Sequence, residues 1–160
     1  MINNENAELS VDNLKLFVGK NYEYFEKKWA IIEESKSKRA WNWAAFFGGV
    51  FWMAYRKMYF YSWIFIGAIV VETLLEYAFS FPAKYSNALN IGISMTFGMQ
   101  ANYWYKLHVE KKIKEISFSN SNEDLKIELA KQGGTNIAAG IAFTVGMIAL
   151  LYLVGVVAEG

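Results

Sequence analysis

The sequence holds no cysteine, one proline and one histidine in 160 residues. Without thiols there is no disulfide framework, no thiolate metal site and no cysteine nucleophile. The single imidazole, His108, stands in an H-x-E string that lacks the cysteines of a zinc deaminase. It reads as an interfacial side chain, and no metal is expected. An excess of charge is missing too. The 16 basic and 15 acidic residues leave +1, which argues against a nucleic-acid partner. Charged residues of either sign make up only 19%, against about 25% in ordinary globular chains. No internal repeat, low-complexity linker, secretory signal pattern or lipidation motif occurs. The GGT at 133–135 is no phosphate loop, since it lacks G-x-x-x-x-G-K-[ST] and follows a helical pattern; it reads as a helix stop. With no nucleophile motif or cofactor fingerprint either, the chain is expected to be no enzyme and to carry no cofactor.

What the sequence has in quantity is apolar and aromatic side chains. Apolar residues are 54%, and with the glycines roughly 61%, against about 45–50% in typical globular chains. There are 6 Trp, 10 Tyr and 12 Phe, and Trp and Tyr gather at membrane–water interfaces. Mean hydropathy is only +0.14 because polar stretches are averaged against apolar ones. The composition is that of a chain partly dissolved in lipid.

Residues 1–39 are polar, with seven basic and seven acidic side chains. Asn21 is placed to cap a helix over 21–34, with Tyr22, Phe25, Trp29 and Ile32 on one face. That helix lies on a membrane surface or packs on protein; its mixed-charge outer face favours protein. Four apolar stretches follow. Residues 40–55 are 16 long, 58–71 continue their pattern to about Phe81 before Pro82 stops it, 85–105 are uncharged for 21 positions and 133–158 for 26. Crossing ~30 Å of hydrocarbon takes about 20 helical residues, so the last three qualify. If 40–55 crossed as well, the basic residues would divide eight and eight between the two sides. If it re-enters or lies at the interface, 15 fall on one side and only Lys84 on the other, as the positive-inside bias prefers. Gly48-Gly49 makes a bend there cheap.

The expected fold is therefore all-α: an integral membrane bundle with three spanning helices, one re-entrant or interfacial aromatic segment and cytoplasmic amphipathic helices. Its regions are 1–39, cytoplasmic; 40–57, the aromatic segment; and 58–158, the membrane part, with a cytoplasmic helical insertion at 106–132. In that insertion Leu107, Val109, Ile113 and Ile116 extend the preceding helix. Ser121 and Asp124 form a capping pattern for a helix ending at Gly133-Gly134, and Thr135 or Asn136 caps the final span.

Four strings, FVGKNYEYFEKKW (17–29), WNWAAFFGGVFWMAYRKMY (41–59), NYWYKLHVEKKI (102–113) and LAKQGGT (129–135), resemble successive landmarks of a bacterial membrane-protein family known as domain of unknown function 2628. The resemblance runs from Phe17 to Leu153, and W-x-x-Y-R-K-M at Trp52–Met58 is its most specific part. Where members often carry Gly-Pro before Phe-Trp, this chain has Gly49-Val50. The resemblance implies a helical protein of the bacterial cytoplasmic membrane and supplies no activity.

Candidate functional residues are few. Trp41, Trp43, Trp52 and Tyr55 suit a headgroup level, and Arg56-Lys57 beside them suit anionic headgroups or serve only as topogenic charge. Glu72 and Glu76, four apart, share one side of a span and form a candidate ion site, or else terminate the span near water. As an ion site they would face Ser94, Thr96 or Asn102. Ala138, Ala142 and Gly146 repeat at four-residue spacing, as do Ser94 and Gly98; small residues at that spacing pack helices, within the chain or in a homo-oligomer. The leading reading is a non-catalytic membrane component that engages lipid or a protein partner. The other is a small ion transporter or channel subunit using Glu72 and Glu76.

Overall fold

The computed structural model describes residues 9–35, 37–80, 82–119 and 122–159. Among the described residues every regular element is a helix.

Helix α1 (Val11–Val18) is opened by Ser10, whose hydroxyl accepts the Asn13 N–H at 3.3 Å. Asp12 in the first turn complements the helix dipole. The sequence reading missed this element. Gly19 closes it at φ 74, a backbone state that side chains disfavour, and one 3₁₀ turn, Gly19–Asn21, leads into α2 (Tyr22–Glu34). Asn21 stands at the expected cap position but makes no side-chain cap bond. The 3₁₀ turn runs straight into α2, with the Tyr22 N–H donating to the Gly19 carbonyl.

Helix α3 (Trp43–Tyr55) breaks at Gly49, with φ 44 and ψ −120, where the glycine pair allows a bend. It ends in a Schellman turn: the Met58 N–H reaches the Met53 carbonyl at 2.9 Å and the Lys57 N–H the Ala54 carbonyl at 3.0 Å. Lys57 takes the left-handed position at φ 60, and Met53 and Met58, which flank the motif, are both buried. Helix α4 (Tyr59–Phe79) stops short of the expected Phe81, because Ser80 turns left-handed at φ 50; Phe81 itself lies outside the described residues. Pro82 precedes α5 (Ala83–Ser119), where its missing N–H costs nothing. The uncharged stretch 85–105 and its expected extension form this one helix of 37 residues. Helix α6 (Asn122–Gln132) ends at the expected glycines, and α7 (Ile137–Glu159) is capped by Asn136, whose Oδ1 accepts the Ala139 N–H at 3.0 Å. Ser121, the expected cap of α6, lies outside the described residues.

The chain divides into two compact units. The first is Met1–Asn42 with Met99–Thr135, and the second is Trp43–Gly98 with Asn136–Gly160. The first is built on α1, α2, the later part of α5, and α6. Tyr22, Phe25, Trp29 and Ile32 are all buried, so α2 packs on protein. Tyr105 of α5 meets Phe25 at 4.5 Å between ring centroids. Its helix buries Ala101, Val109, Ile113 and Ile116 on the same face. Leu107 is exposed, and Tyr105 lies on the buried face. Gly133 lies so close to the Phe17 backbone that a Cβ would overlap it, and the Gly134 N–H donates to the Phe17 carbonyl at 2.6 Å. The glycines thus let α1 dock, besides stopping α6.

The second unit joins α3, α4, the earlier part of α5, and α7. Phe65 and Phe97 touch at 4.3 Å, fourteen residues before the end of α4 and fourteen after the start of α5. The matched arms, each about 21 Å, make an antiparallel hairpin. Helices α4 and α7 run parallel, since Tyr59 and Trp63 meet Phe143 near their starts and Tyr77 meets Gly155 near their ends. Two helical stretches among the described residues are long and apolar enough to cross a membrane: Tyr59–Phe79, and the apolar part of Asp124–Val157, carried by α7. The third expected span, 85–105, does not reach that apolarity. Asn87, Asn90, Gln100 and Asn102 dilute it, and Asn102 is buried in the first unit.

Candidate functional site

The α3–α4 turn and the seam between α4 and α7 gather most of the residues singled out by sequence. Trp43 is 62% exposed and stacks on Phe47 at 5.9 Å. Trp41 is half-buried in the first unit. Tyr55 is half-buried and lies flat on Phe51 at 6.0 Å, and its carbonyl accepts the Asn136 N–H at 2.8 Å. Trp52 and Arg56, expected at a headgroup level, are both buried within the protein. The Arg56 guanidinium lies 5.6 Å from the Tyr55 ring centroid. Lys57 is half-buried, and burial pushes its ammonium below the ordinary lysine range. Along α3 and the first turns of α4 the most exposed aromatic rings are Trp43, Phe47, Phe60 and Trp63. Phe47, Phe60 and Trp63 were hidden in sequence because an uninterrupted apolar run has no polar face to set its phase.

Glu72 and Glu76 lie on successive turns of α4, half-buried, and their carboxyl groups meet in a side-chain hydrogen bond. Asn102 does not serve them. It is buried in the first unit, where its Oδ1 accepts from Asn42 Nδ2 at 2.9 Å and its Nδ2 donates to the Ala40 carbonyl at 3.0 Å. Its backbone carbonyl accepts the Trp29 Nε1–H at 3.0 Å. The Thr96 hydroxyl is turned back to the Gly92 carbonyl at 2.9 Å.

His108 belongs to the first unit, with the Tyr105 ring stacked 6.4 Å away and Phe17 at 6.3 Å. Burial, reinforced by Lys112, pushes its imidazole down to about 4, so it is neutral at pH 7. No group of three His, Cys, Asp or Glu among the described residues is placed to hold a metal ion.

The small residues of α7 divide in a way the spacing did not reveal. Within the chain the close approaches are at Gly140, where a Cβ would meet the Phe51 ring at 2.9 Å, and at Gly155 beside the Tyr77 hydroxyl. The stripe Ala138, Ala142 and Gly146, favoured for packing within the chain, is exposed instead, and a Cβ on Gly146 would meet nothing within 4 Å. Beside it a groove of about 500 Å³ opens between Trp63 and Ile66 of α4 and Phe143, Gly146 and Leu150 of α7. A second groove of about 270 Å³ continues the seam at Leu74 and Leu153.

No curated protein and no solved structure matches the chain. A family match covers residues 6–111, about two thirds of the sequence, and holds three of the four resembling strings, from Phe17 to Ile113 but for its last two positions. LAKQGGT at 129–135 and α7 lie beyond it. The chain belongs to the family described as protein of unknown function DUF2628.

Proposed function

We propose that the chain is a non-catalytic component of the bacterial cytoplasmic membrane, its second unit set in the bilayer and its first unit offered on the cytoplasmic side to lipid or a protein partner. The observation that carries this reading is uncovered apolar surface. Only 11% and 6% of the residues are buried in the most apolar windows of α4 and of the stretch holding α7. Soluble monomers rarely leave contiguous apolar patches beyond a few hundred Å² in water, whereas lipid covers such helices without penalty. Charge supports the division. Only six of the 31 charged residues fall in the second unit: Arg56, Lys57, Glu72, Glu76, Lys84 and Glu159.

In this reading α4 leads outward, α5 returns, α7 leads outward again, and α3 dips in and comes back through its Gly49 bend. The arrangement leaves 15 of 16 basic residues inside, Lys84 excepted. Cysteines introduced singly test it. Ser35→Cys should resist a membrane-impermeant thiol reagent in intact cells and Ser86→Cys should label; the reverse pattern overturns the threading. Positions 39 and 57 should both resist, and opposite behaviour would restore a crossing by α3. A second reading, a small ion transporter or channel subunit, is favoured by the contact between Glu72 and Glu76.

A further inference from the structure

The groove between α4 and α7 has a direction, given by chemistry at its two ends. It begins near the starts of both helices, where Tyr59 stacks on Phe143 at 5.7 Å and its hydroxyl accepts from Asn136 Nδ2 at 3.3 Å. Arg56 and Lys57 lie at this same end, one turn or less before α4. The carboxylates of α4, Glu72 and Glu76, lie thirteen or more residues along that helix, about 20 Å away. A negative ligand group is therefore favoured at the polar end and disfavoured at the other.

We propose that this groove holds one acyl chain of an anionic phospholipid from the cytoplasmic leaflet, with the phosphate at the α3–α4 turn beside Lys57. The proposal rests on the membrane placement above and specifies a lipid site within it. The groove volume of about 500 Å³ falls in the range of small-molecule sites, ~300–1,000 Å³. Its walls are almost wholly apolar side chains, and open space over Gly146 leaves room for a chain. Its lining on α7 runs eight residues, from Ala142 to Leu150, about 12 Å, which fits within one hydrocarbon leaflet of ~15 Å. Trp63, 62% exposed at the rim, stands against the alternative occupant, a second copy. Helix pairs built on small residues need close backbone approach, and a bulky ring beside Gly146 holds a rigid helix off. A flexible chain passes it.

The test uses the full chain in phosphatidylcholine vesicles containing either phosphatidylglycerol or phosphatidylcholine with a photoactivatable acyl chain. Crosslinked phosphatidylglycerol is expected on Trp63–Ile66 and Ala142–Leu150 above the rest of α4 and α7. Gly146→Leu, whose Cβ meets nothing within 4 Å and whose side chain fills the groove, should lower that labelling at least five-fold with circular dichroism unchanged. If Gly146→Leu unfolds, the same filling by Ala142→Leu and the wild-type crosslink map decide. Lys57→Gln should reduce the preference for phosphatidylglycerol about five-fold, the effect of one basic group at an anionic surface. Even labelling around both helices, equal labelling by the two lipids, or protein–protein crosslinks through α7 in place of lipid would each overturn the proposal. Alkaline carbonate extraction separates the two levels. A chain that leaves the membrane refutes the membrane placement, whereas one that stays without groove-selective labelling refutes the lipid site alone.

Discussion

Replacing Asn102 by Ala should destabilise the first unit more than any other single polar substitution in it. Asn102 is fully buried, and its amide satisfies Asn42 Nδ2 at 2.9 Å and the Ala40 carbonyl at 3.0 Å. Truncation removes these bonds, and the longer one from Asn102 Nδ2 to the Trp41 carbonyl at 3.4 Å, and takes this partner from two buried groups, each costing ~1–3 kcal/mol when unsatisfied. The expected loss is about 2–5 kcal/mol, a large part of the ~5–15 kcal/mol that holds a typical domain together. The Trp29 indole bond survives, because it ends on the backbone carbonyl of residue 102. Asn42→Ala takes the donor from the Asn102 Oδ1, a loss of about 1–3 kcal/mol for that group. The double variant should fall short of the sum by ~0.5–3 kcal/mol, the coupling of a contacting pair. Urea unfolding in mild detergent, followed by tryptophan fluorescence, gives the four free energies. Hydrogen exchange adds a local readout: the Ala40 N–H, bonded to the Met99 carbonyl at 3.1 Å, should lose protection in Asn102→Ala. Additivity within about 0.5 kcal/mol, or an unchanged Ala40 amide, would refute the pinning of the 40–42 segment to α5.

Lys57→Gly should raise stability by ~1 kcal/mol, because glycine takes φ 60 without the left-handed cost; unchanged or lower stability in urea refutes strain at that turn. His108→Phe keeps a ring against Tyr105 and removes the proton site. In the wild type the folded pKa, about 4, lies below the unfolded value of ~6.5. Stability should therefore be whole above pH 6.5 and fall as pH drops toward 4, by at most about 3 kcal/mol. The variant should lose that part of the slope, and identical pH profiles would refute it. Replacing Glu72 and Glu76 together by Gln should leave folding and membrane insertion intact; proton or cation flux in proteoliposomes that vanishes in the double variant would promote the transport reading.

The sequence disclosed most where structure is local. The buried face of α2 follows from four apolar residues at helical spacing, the α3 bend from two adjacent glycines, and the α7 cap from Asn136. Burial of Trp52 and Arg56 was illegible for a different reason. It depends on tertiary packing, which no spacing within 40–57 encodes. Asn42 and Asn102 are sixty positions apart, so each alone reads as an ordinary polar residue. The single-helix character of α5 was legible, since Leu107, Val109, Ile113 and Ile116 extend the uncharged stretch without a break signal, and the helix runs on to Ser119. Gly133 read as a stop because glycine has two uses, and only the nearness of Phe17 distinguishes them.

The first unit is assembled from two pieces of chain, and that order has a consequence for synthesis. Trp29 waits for Asn102, 73 residues later, which at ~5–20 residues per second is about 4–15 s of translation. During that interval α1 and α2 have left the ribosome with Phe17, Phe25, Trp29 and Ile32 still uncovered, and the α4–α5 hairpin must be made before their partner surface exists. A nascent chain stalled before residue 99 therefore presents an amphipathic hydrophobic face with nothing of its own to cover it. Chaperone capture, aggregation and proteolysis of such stalled chains should concentrate on Phe17–Ile32 and disappear once Tyr105–Ile116 have emerged.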